Sequence, residues 1–482
     1  MKALVVACLV SAAPALAEPS VFGRSKLADW TKPPPPTKPT RFVPPGATHA
    51  KLANGIELVV IPNRMLPLVS MMLVVRNAGA SQDLPGKSGL AAFTADLLDE
   101  GAGGLGAMQL AEERERLGAT IETEVDHDSA FVTVSTLSTS LEDSLTLLTK
   151  IVTKPAFDAK ELDRVKGDRA TALDLRRDRP REVAEVVVDR VLYGASGYGQ
   201  PIDGTREDFK TIKRDDIQAF YRMHYQPVFM SLVVAGDVDA TKLKKQLDAR
   251  LGAWRPAKVP YAAAPIPRFA KKPPRLLVVD RPGAAQSDVR VGIAGPFRRD
   301  KRYFAFEVMH TILGGGFTGR ITQTLREKMG IIYHAYLKQD WRDHGGPFVL
   351  DVAIDTPETA RGIQTLIAMY GDLSKIEVPA AELEKSKQNL IRALPFKFDT
   401  NATTAMTFAD LAIFRLPDAF YATYAANVGK IKAADVRAAA KALLPADQLV
   451  FAVVGDLSKI RASLEKLDLG KPVMFDAYGV AK

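Results

Sequence analysis

Histidine is the side chain that most often ligates a metal in a protein, so its spacing is the first indicator of zinc chemistry. The chain has six histidines: His49, His127, His224, His310, His334 and His344. No two of them lie within five residues of each other, which excludes the paired-imidazole spacing of a helical zinc motif. A polar hairpin turn explains the cluster Asp126-His127-Asp128 better than a metal site does. The absence of Gly-x-Ser-x-Gly and Gly-x-x-x-x-Gly-Lys sequences argues against a serine triad and a phosphate loop.

A second group of chemically useful side chains lies in one glycine-rich block, residues 313–333. Thr318 can begin a helix in this block and Gly330 can close it, before an apolar strand that includes Tyr333. The helix would bury three apolar residues that recur every four positions: Ile321, Leu325 and Met329. This pattern predicts that Arg326 and Tyr333 flank a helix-to-strand corner.

These residues also have ordinary structural interpretations. An arginine in such a helix is most often solvated, and a tyrosine in such a strand is most often half-buried. A tight turn with positive φ is the common reason for a run such as Gly314-Gly315-Gly316. The block alone therefore assigns no chemistry to Arg326 or Tyr333.

Residues 89–101, Gly-Leu-Ala-Ala-Phe-Thr-Ala-Asp-Leu-Leu-Asp-Glu-Gly, resemble the first-domain helix of the pitrilysin/insulinase metallopeptidases. In the processing-peptidase subgroup the pattern there is G-L-A-H-F-x-E-H-M-x-x-x-G, and its zinc motif is replaced here by Ala92, Ala95 and Asp96. Alanine can neither ligate zinc nor act as the base for a zinc-bound water. The family's third ligand is expected near residues 172–175, where only Asp174 is acidic. The resemblance thus implies no cofactor in this chain.

The resemblance covers nearly the whole chain. Residues 198–205 are similar to the family's P-x-G-x-x-x-x-G-T region, and residues 313–333 are similar to its L-G-G-G-x-x-S-R-L and L-R-E-x-x-G-L-x-Y motifs. In the family, an arginine and a tyrosine at this spacing bind the substrate backbone and stabilise the tetrahedral intermediate. The resemblance assigns these catalytic roles to Arg326 and Tyr333, whose donors have a fixed geometry. The resemblance also implies that Gly314, Gly315, Gly316 and Phe317 form a substrate-binding loop. The glycines can therefore be interpreted either as a tight turn or as part of this loop, and both interpretations stay open.

The family also suggests how a chain without zinc could act. In its two-subunit members, two chains close into a clamshell, and one brings zinc while the other brings the arginine and tyrosine. The resemblance implies that this chain is the non-catalytic subunit of a heterodimeric zinc metallopeptidase, with zinc in a homologous partner that carries H-x-x-E-H. Unfolded or short peptides would be the substrates. Two alternatives remain open: a structural core-type subunit of a larger assembly, and a peptide-binding clamshell without proteolysis.

The elements that position these residues occur twice in the chain. The run Leu-Val-Val-Ala-Gly-Asp at 232–237 corresponds to Phe-Ala-Val-Val-Gly-Asp at 451–456, and the two Gly-Asp pairs are 219 residues apart. Short β-rich runs alternate with long amphipathic helices, one of which has the apolar stripe Leu141, Leu145, Leu148 and Val152. The sequence therefore predicts an α+β fold, a tandem duplication of two homologous α/β sandwich domains. Each would be a mixed antiparallel sheet with helices on one face, and the pair would form half of a clamshell.

Composition sets the predicted domain limits. Residues 1–17 are typical of a signal peptide, residues 18–46 of a proline-rich extended tail, and residues 253–275 of a proline-rich linker. The first peptidase-like domain, with the degenerate zinc site, would occupy residues 47–252. The second, with the arginine and tyrosine, would occupy residues 276–482. The signal peptide predicts export, and a bacterial periplasm is the expected compartment.

Length, charge and hydropathy narrow the function class. The chain has 482 residues, 47% hydrophobic and 25% charged, which suits more than one buried core. The mean hydropathy of −0.03 argues against membrane insertion after the signal peptide. The net charge of +9 is spread thinly, and the densest basic patch, residues 271–275, lacks the interleaved aromatics that nucleic-acid binding requires. The only cysteine, Cys8, lies in the predicted signal peptide, so no disulfide is expected.

Overall fold

The computed structural model of the chain describes residues 42–255 and 264–482. The predicted signal peptide, most of the proline-rich tail and part of the predicted linker lie outside these residues. In the described part of the chain, no helix is both long and apolar enough to cross a lipid bilayer. The domain limits at 47–252 and 276–482 stay predictions.

Eight strands lie in the first half: β1 (Thr48–Lys51), β2 (Glu57–Pro62), β3 (Leu68–Arg76), β4 (Gly101–Ala102), β5 (Leu105–Gly106), β6 (Thr120–Val125), β7 (Ser129–Leu137) and β8 (Met230–Gly236). Six of them form a mixed sheet in the order β1-β2-β8-β3-β7-β6, in which β2 and β8 are parallel and the other neighbours antiparallel. Strands β4 and β5 form a separate small hairpin. Strand β3 lies between β7 and β8 because its run Leu-Val-Ser-Met-Met-Leu-Val-Val is apolar on both faces.

Six strands lie in the second half: β9 (Leu276–Asp280), β10 (Gln286–Ala294), β11 (Ile332–Gln339), β12 (Pro347–Asp355), β13 (Val450–Gly455) and β14 (Val473–Phe475). Their order is β11-β12-β10-β13-β9-β14. The second sheet repeats the strand order of the first, with β9, β13, β10, β12 and β11 in the places of β2, β8, β3, β7 and β6. The pair β9 and β13 is parallel, as the pair β2 and β8 is. The repeated Gly-Asp runs lie at the ends of the matching strands β8 and β13. The predicted duplication of a mixed-sheet domain is therefore confirmed.

The described residues also form 15 α-helices: α1 (Leu90–Asp96), α2 (Ala107–Leu117), α3 (Leu141–Thr153), α4 (Ala159–Arg176), α5 (Pro180–Tyr193), α6 (Arg206–Thr211), α7 (Arg214–His224), α8 (Ala240–Leu251), α9 (Tyr303–Gly314), α10 (Thr359–Lys375), α11 (Ala380–Ala393), α12 (Asn401–Ile413), α13 (Phe420–Gly429), α14 (Ala433–Leu443) and α15 (Leu457–Leu464). Helix α3 buries three of the four residues of the predicted apolar stripe, since Leu145, Leu148 and Val152 are at most 2% exposed, and its first residue, Leu141, is half-buried. As predicted, helices of each half cover one face of the sheet of that half.

The opposite face of each sheet is covered by a helix from the other half, an exchange that the sequence does not predict. Helix α12 lies against the first sheet, where Phe408 packs in the same core as Val233 of β8. Helix α5 lies against the second sheet, and it approaches β10 so closely that a Cβ on Gly292 would be 2.5 Å from Val188 Cγ1. The two exchanged helices join the halves through buried apolar surface.

A buried ionic cluster adds a polar link between the halves. Arg342, which follows β11 and is 2% exposed, donates from Nη2 to Asp189 of α5 at 2.6 Å and to Asp340 at 2.7 Å. Its guanidinium lies 5.2 Å from the ring centre of Tyr193 and 5.1 Å from that of Tyr198. Because an unpaired buried charge is strongly destabilising, this cluster constrains α5 against the second half.

Candidate functional site

The glycine-rich loop after α9 requires glycine at three successive positions. A Cβ on Gly315 would lie 2.3 Å from the Thr311 carbonyl oxygen, and a Cβ on Gly314 would lie 2.4 Å from Leu337 Cβ. Gly316 has a φ of +67°, which side chains rarely tolerate. The interpretation as a turn with positive φ therefore holds for Gly316 alone, whereas Gly314 and Gly315 are required by close packing; contact with a bound peptide stays a prediction.

The segment after this loop differs from the predicted α-helix. A 3₁₀ turn occupies Gly316–Thr318 and a π-helix occupies Thr322–Lys328, so the predicted helix is present but is largely a π-helix and begins after Thr318. Ile321 and Leu325 are fully buried, as the apolar spacing predicts. That spacing fixes the buried face without distinguishing an α-helix from a π-helix. Short π-helical segments are frequent at functional sites.

The structure brings three predicted site residues together in a cluster of the exposed Phe317 and Tyr333 with the half-buried Arg326, called here the Arg–Tyr cluster. The Arg326 guanidinium carbon lies 5.2 Å from the ring centre of Tyr333 and 5.3 Å from that of Phe317. Both rings are 73% exposed. Arg326 forms an ion pair with its chain neighbour Glu327, at 3.5 Å. Two aromatic rings thus hold the guanidinium at the surface, where its N–H groups can reach a bound molecule.

The position of Tyr333 follows from an irregularity in β11. This strand is the edge strand of the second sheet, and its register with β12 shifts between Ile332 and Ala335. A bulge of this kind redirects the side chains within it. Tyr333 lies in the shifted segment, so the bulge directs its ring toward Arg326 while the hydroxyl stays exposed.

The duplication supplies an internal comparison that sequence reasoning missed. Residues 114–118, Arg-Glu-Arg-Leu-Gly, repeat residues 326–330, Arg-Glu-Lys-Met-Gly. Both stretches lead into the edge region of their sheet, and the closing glycines Gly118 and Gly330 have φ values of +57° and +69°. Arg114 is therefore the counterpart of Arg326 in the first half.

The two arginines have different surroundings. Arg114 donates from Nη1 to Asp99 Oδ2 at 2.7 Å and to the Ile121 carbonyl oxygen at 3.3 Å, so its guanidinium serves the fold of the first half. Ile121 occupies the position that corresponds to Tyr333. Arg326 instead lies between exposed rings, which is the arrangement expected of an arginine that binds a ligand.

The residues at the degenerate zinc positions do not fit a zinc ion. Ala92 and Ala95 of α1 are 1% exposed and offer only methyl groups. The carboxylate of Asp96 accepts two hydrogen bonds from Arg169 of α4, at 2.6 Å from Nε and 2.9 Å from Nη2. Within residues 42–255 and 264–482, no group of three His, Cys, Asp or Glu side chains could hold a metal ion. No catalytic step through a metal can be assigned to this chain.

The acidic residue in the region predicted for the third zinc ligand also bonds to other side chains. Asp174 accepts a hydrogen bond from Arg206 Nε at 3.0 Å, and the Tyr478 hydroxyl lies 3.4 Å from it. Among the described residues, no hydrogen bond, ion pair or ring contact joins α1 to the Arg–Tyr cluster. The structure therefore keeps the two predicted sites apart within one chain.

Comparison with known proteins gives a consistent assignment. Residues 58–206 match the family described as insulinase (peptidase family M16), and residues 211–390 match its peptidase M16 inactive domain. A relative named non-peptidase homolog YmxG, from Helicobacter pylori, is 22% identical over 86% of this chain and 95% of its own length. An uncharacterized zinc protease of Streptomyces coelicolor is 25% identical over 54% of this chain, and the match spans only 57% of that relative's length.

Solved structures share the fold. A peptidase M16 inactive domain from Pseudomonas fluorescens has a TM-score of 0.78 and 23% identity, covering 85% of this chain and 98% of that one. A protease from Helicobacter pylori has a TM-score of 0.77 and 20% identity, with coverages of 85% and 99%. At these identities the likeness concerns the fold alone.

Proposed function

Because the chain belongs to the M16 (insulinase) peptidase family, we propose that it is the non-catalytic subunit of a heterodimeric zinc metallopeptidase. Its partner would be a zinc-bearing homologue with an intact H-x-x-E-H motif. Arg326 and Tyr333 would act in trans at the partner's zinc site on unfolded or short peptides. If the predicted signal peptide is functional, this activity would take place outside the cytoplasm, in a bacterial periplasm.

The observation that carries this proposal is the state of the Arg–Tyr cluster. Tyr333 is exposed and the half-buried Arg326 lies against its ring, although the same chain has alanines where zinc ligands would be needed. Arg326, which is half-buried between two exposed rings, makes no contact that links distant parts of the fold, in contrast to Arg114 and its partner Asp99. If a substrate and a partner chain bind at this surface, Arg326 and Tyr333 would contact the substrate.

The chemistry assigned to this chain is electrostatic. The zinc of the partner would supply an activated water. The guanidinium of Arg326 would donate to backbone carbonyl oxygens of the peptide and fix its position. The hydroxyl of Tyr333 would donate to the reacting carbonyl oxygen as it gains negative charge, which is the role of an oxyanion donor. The loop of Gly314 to Phe317 would lie beside the peptide.

A second candidate function is peptide binding or structural support without proteolysis. The name non-peptidase homolog given to the Helicobacter pylori relative favours this candidate. It differs from the first in a measurable way, because it requires no zinc-bearing partner and predicts no change in rate when Tyr333 loses its hydroxyl.

Complex formation tests the proposal. The chain is co-expressed with an M16 chain of the same host that keeps H-x-x-E-H, and light scattering measures the mass of each protein and of the mixture. We expect a one-to-one complex, with an interface of about 2,000 Å² or more as is usual for obligate pairs. If both chains elute unassociated and the mixture hydrolyses peptides no faster than the zinc-bearing chain alone, the two-subunit function is wrong.

A further inference from the structure

The side chain of Arg169 contacts one of the degenerate zinc positions, Asp96. It lies on α4, one helical turn before residues 172–175, where the family resemblance expects the third zinc ligand. Its guanidinium faces Asp96, which lies on α1 at the position of a zinc-ligating histidine. The same two helices that a metal would join are thus joined by this arginine.

The geometry around Arg169 is that of a strong charge-assisted contact. Two parallel hydrogen bonds, of 2.6 and 2.9 Å, connect its Nε and Nη2 atoms to the two oxygens of Asp96. A third, longer bond of 3.3 Å connects Nη1 to Asp203. The guanidinium carbon also lies 5.4 Å from the ring centre of Phe93 on α1. All three nitrogens and one face of the guanidinium are therefore engaged.

Burial and charge agree with this geometry. The side chains of Arg169 and Asp96 are 18% and 29% exposed, so water screens their attraction only in part. Burial alone lowers the pKa of Arg169, but the hydrogen bond and the charge of Asp96 outweigh it, and the pKa is raised. Arg169 is a permanent cation at this position.

We propose that the guanidinium of Arg169 replaces the zinc ion as the cation that holds α1 to α4, so that the first half folds without metal. Both cations attract a carboxylate, but a guanidinium binds it through hydrogen bonds instead of coordinate bonds, has no open coordination position and cannot activate water. The replacement keeps the fold of the first half and removes its hydrolytic chemistry. It concerns the first half alone and holds whether or not the second half acts on a partner.

Thermal unfolding of the purified chain tests this proposal. The variants are Arg169→Met, Asp96→Asn and the double variant, each measured with and without EDTA. We expect each single substitution to lower the midpoint by roughly 4 to 8 °C, because it leaves a partly buried charge without its partner. The double variant should lose clearly less than the sum of the two, since it removes both charges together. EDTA should leave the wild-type midpoint unchanged.

Two controls separate this contact from a general charge effect. Arg177→Met removes an arginine that follows α4, is 55% exposed and should leave the midpoint unchanged. Asp203→Asn removes the charge from the longer contact and from a 2.9 Å contact with Arg176. Because Asp203 is 59% exposed, the loss should still be smaller than for Asp96→Asn. A wild-type midpoint in Arg169→Met, additive losses in the double variant, or a wild-type chain destabilised by EDTA would each overturn the proposal.

Discussion

Replacement of Tyr333 by phenylalanine removes one hydroxyl from the Arg–Tyr cluster and leaves the ring in place. The ring centre lies 5.2 Å from the Arg326 guanidinium carbon, so the stacking contact should survive. Because Tyr333 is 73% exposed, the free energy of unfolding should change by less than about 0.5 kcal/mol. The effect on catalysis is therefore separable from an effect on folding.

The expected change is a fall in kcat. A single oxyanion donor typically contributes a factor on the order of 10² to 10³, or about 3 to 4 kcal/mol of transition-state stabilisation. Arg326→Ala removes the cation that would hold the peptide backbone, and it also breaks two cation–π contacts worth about 0.5 to 1 kcal/mol each at an exposed site. This variant should lose rate and substrate affinity together, with a modest loss of stability.

The assay is steady-state hydrolysis of a fluorogenic peptide by the complex of this chain with its zinc-bearing partner. Tyr336→Phe is the matched control, since Tyr336 lies on the same edge strand, is 51% exposed and stacks on Arg181 instead of Arg326. It should leave kcat unchanged. Arg114→Ala, at the counterpart position in the first half, should lower stability through the loss of the Asp99 contact rather than lower kcat in the folded complex.

The result that refutes the reasoning is wild-type turnover by both Tyr333→Phe and Arg326→Ala in a complex of confirmed mass. A loss of rate in Tyr336→Phe as large as that in Tyr333→Phe would also contradict a specific role for the Tyr333 hydroxyl. Either outcome would favour peptide binding or structural support as the function.

Two further predictions concern the isolated chain. The purified protein should contain less than a stoichiometric amount of zinc by elemental analysis and should hydrolyse no peptide, because Ala92 and Ala95 provide no ligand; one tightly bound zinc per chain would contradict this. Burial lowers the pKa of His224 to about 4, below the unfolded value near 6.5, so this residue should cost up to about 3 kcal/mol of unfolding free energy as the pH falls from 6.5 to 4. In urea titrations across that range, His224→Gln should show a smaller loss than the wild type, and equal losses would show that His224 does not contribute.

The duplicated fold could be predicted because its signals are local. The Gly-Asp runs identify β8 and β13, and the helical i, i+4, i+7 spacing of Leu141, Leu145 and Leu148 identifies the buried face of α3. The exchange of α5 and α12 could not be predicted in this way. An apolar stripe shows that a helix has a buried face, but the sheet that covers this face is chosen by tertiary packing.

The site was predictable only in part. The family resemblance implied the pairing of Arg326 with Tyr333, whereas the apolar pattern gave no sign of the π-helix and the bulge beside them. The repeat of the arginine motif at Arg114 was readable from the sequence by aligning the two halves. The contact between Asp96 and Arg169 joins residues 73 positions apart, and no local rule of spacing connects them.

The most direct test of the central claim is a titration of the zinc-bearing partner, at fixed concentration, with this chain. The account predicts that peptide hydrolysis rises with each addition and saturates at one equivalent of this chain. The variant that combines Arg326→Ala with Tyr333→Phe should saturate binding at the same equivalent, while its turnover stays at least about 10²-fold lower. A partner that is fully active alone, or equally activated by the variant, would contradict the claim that these two side chains act in trans.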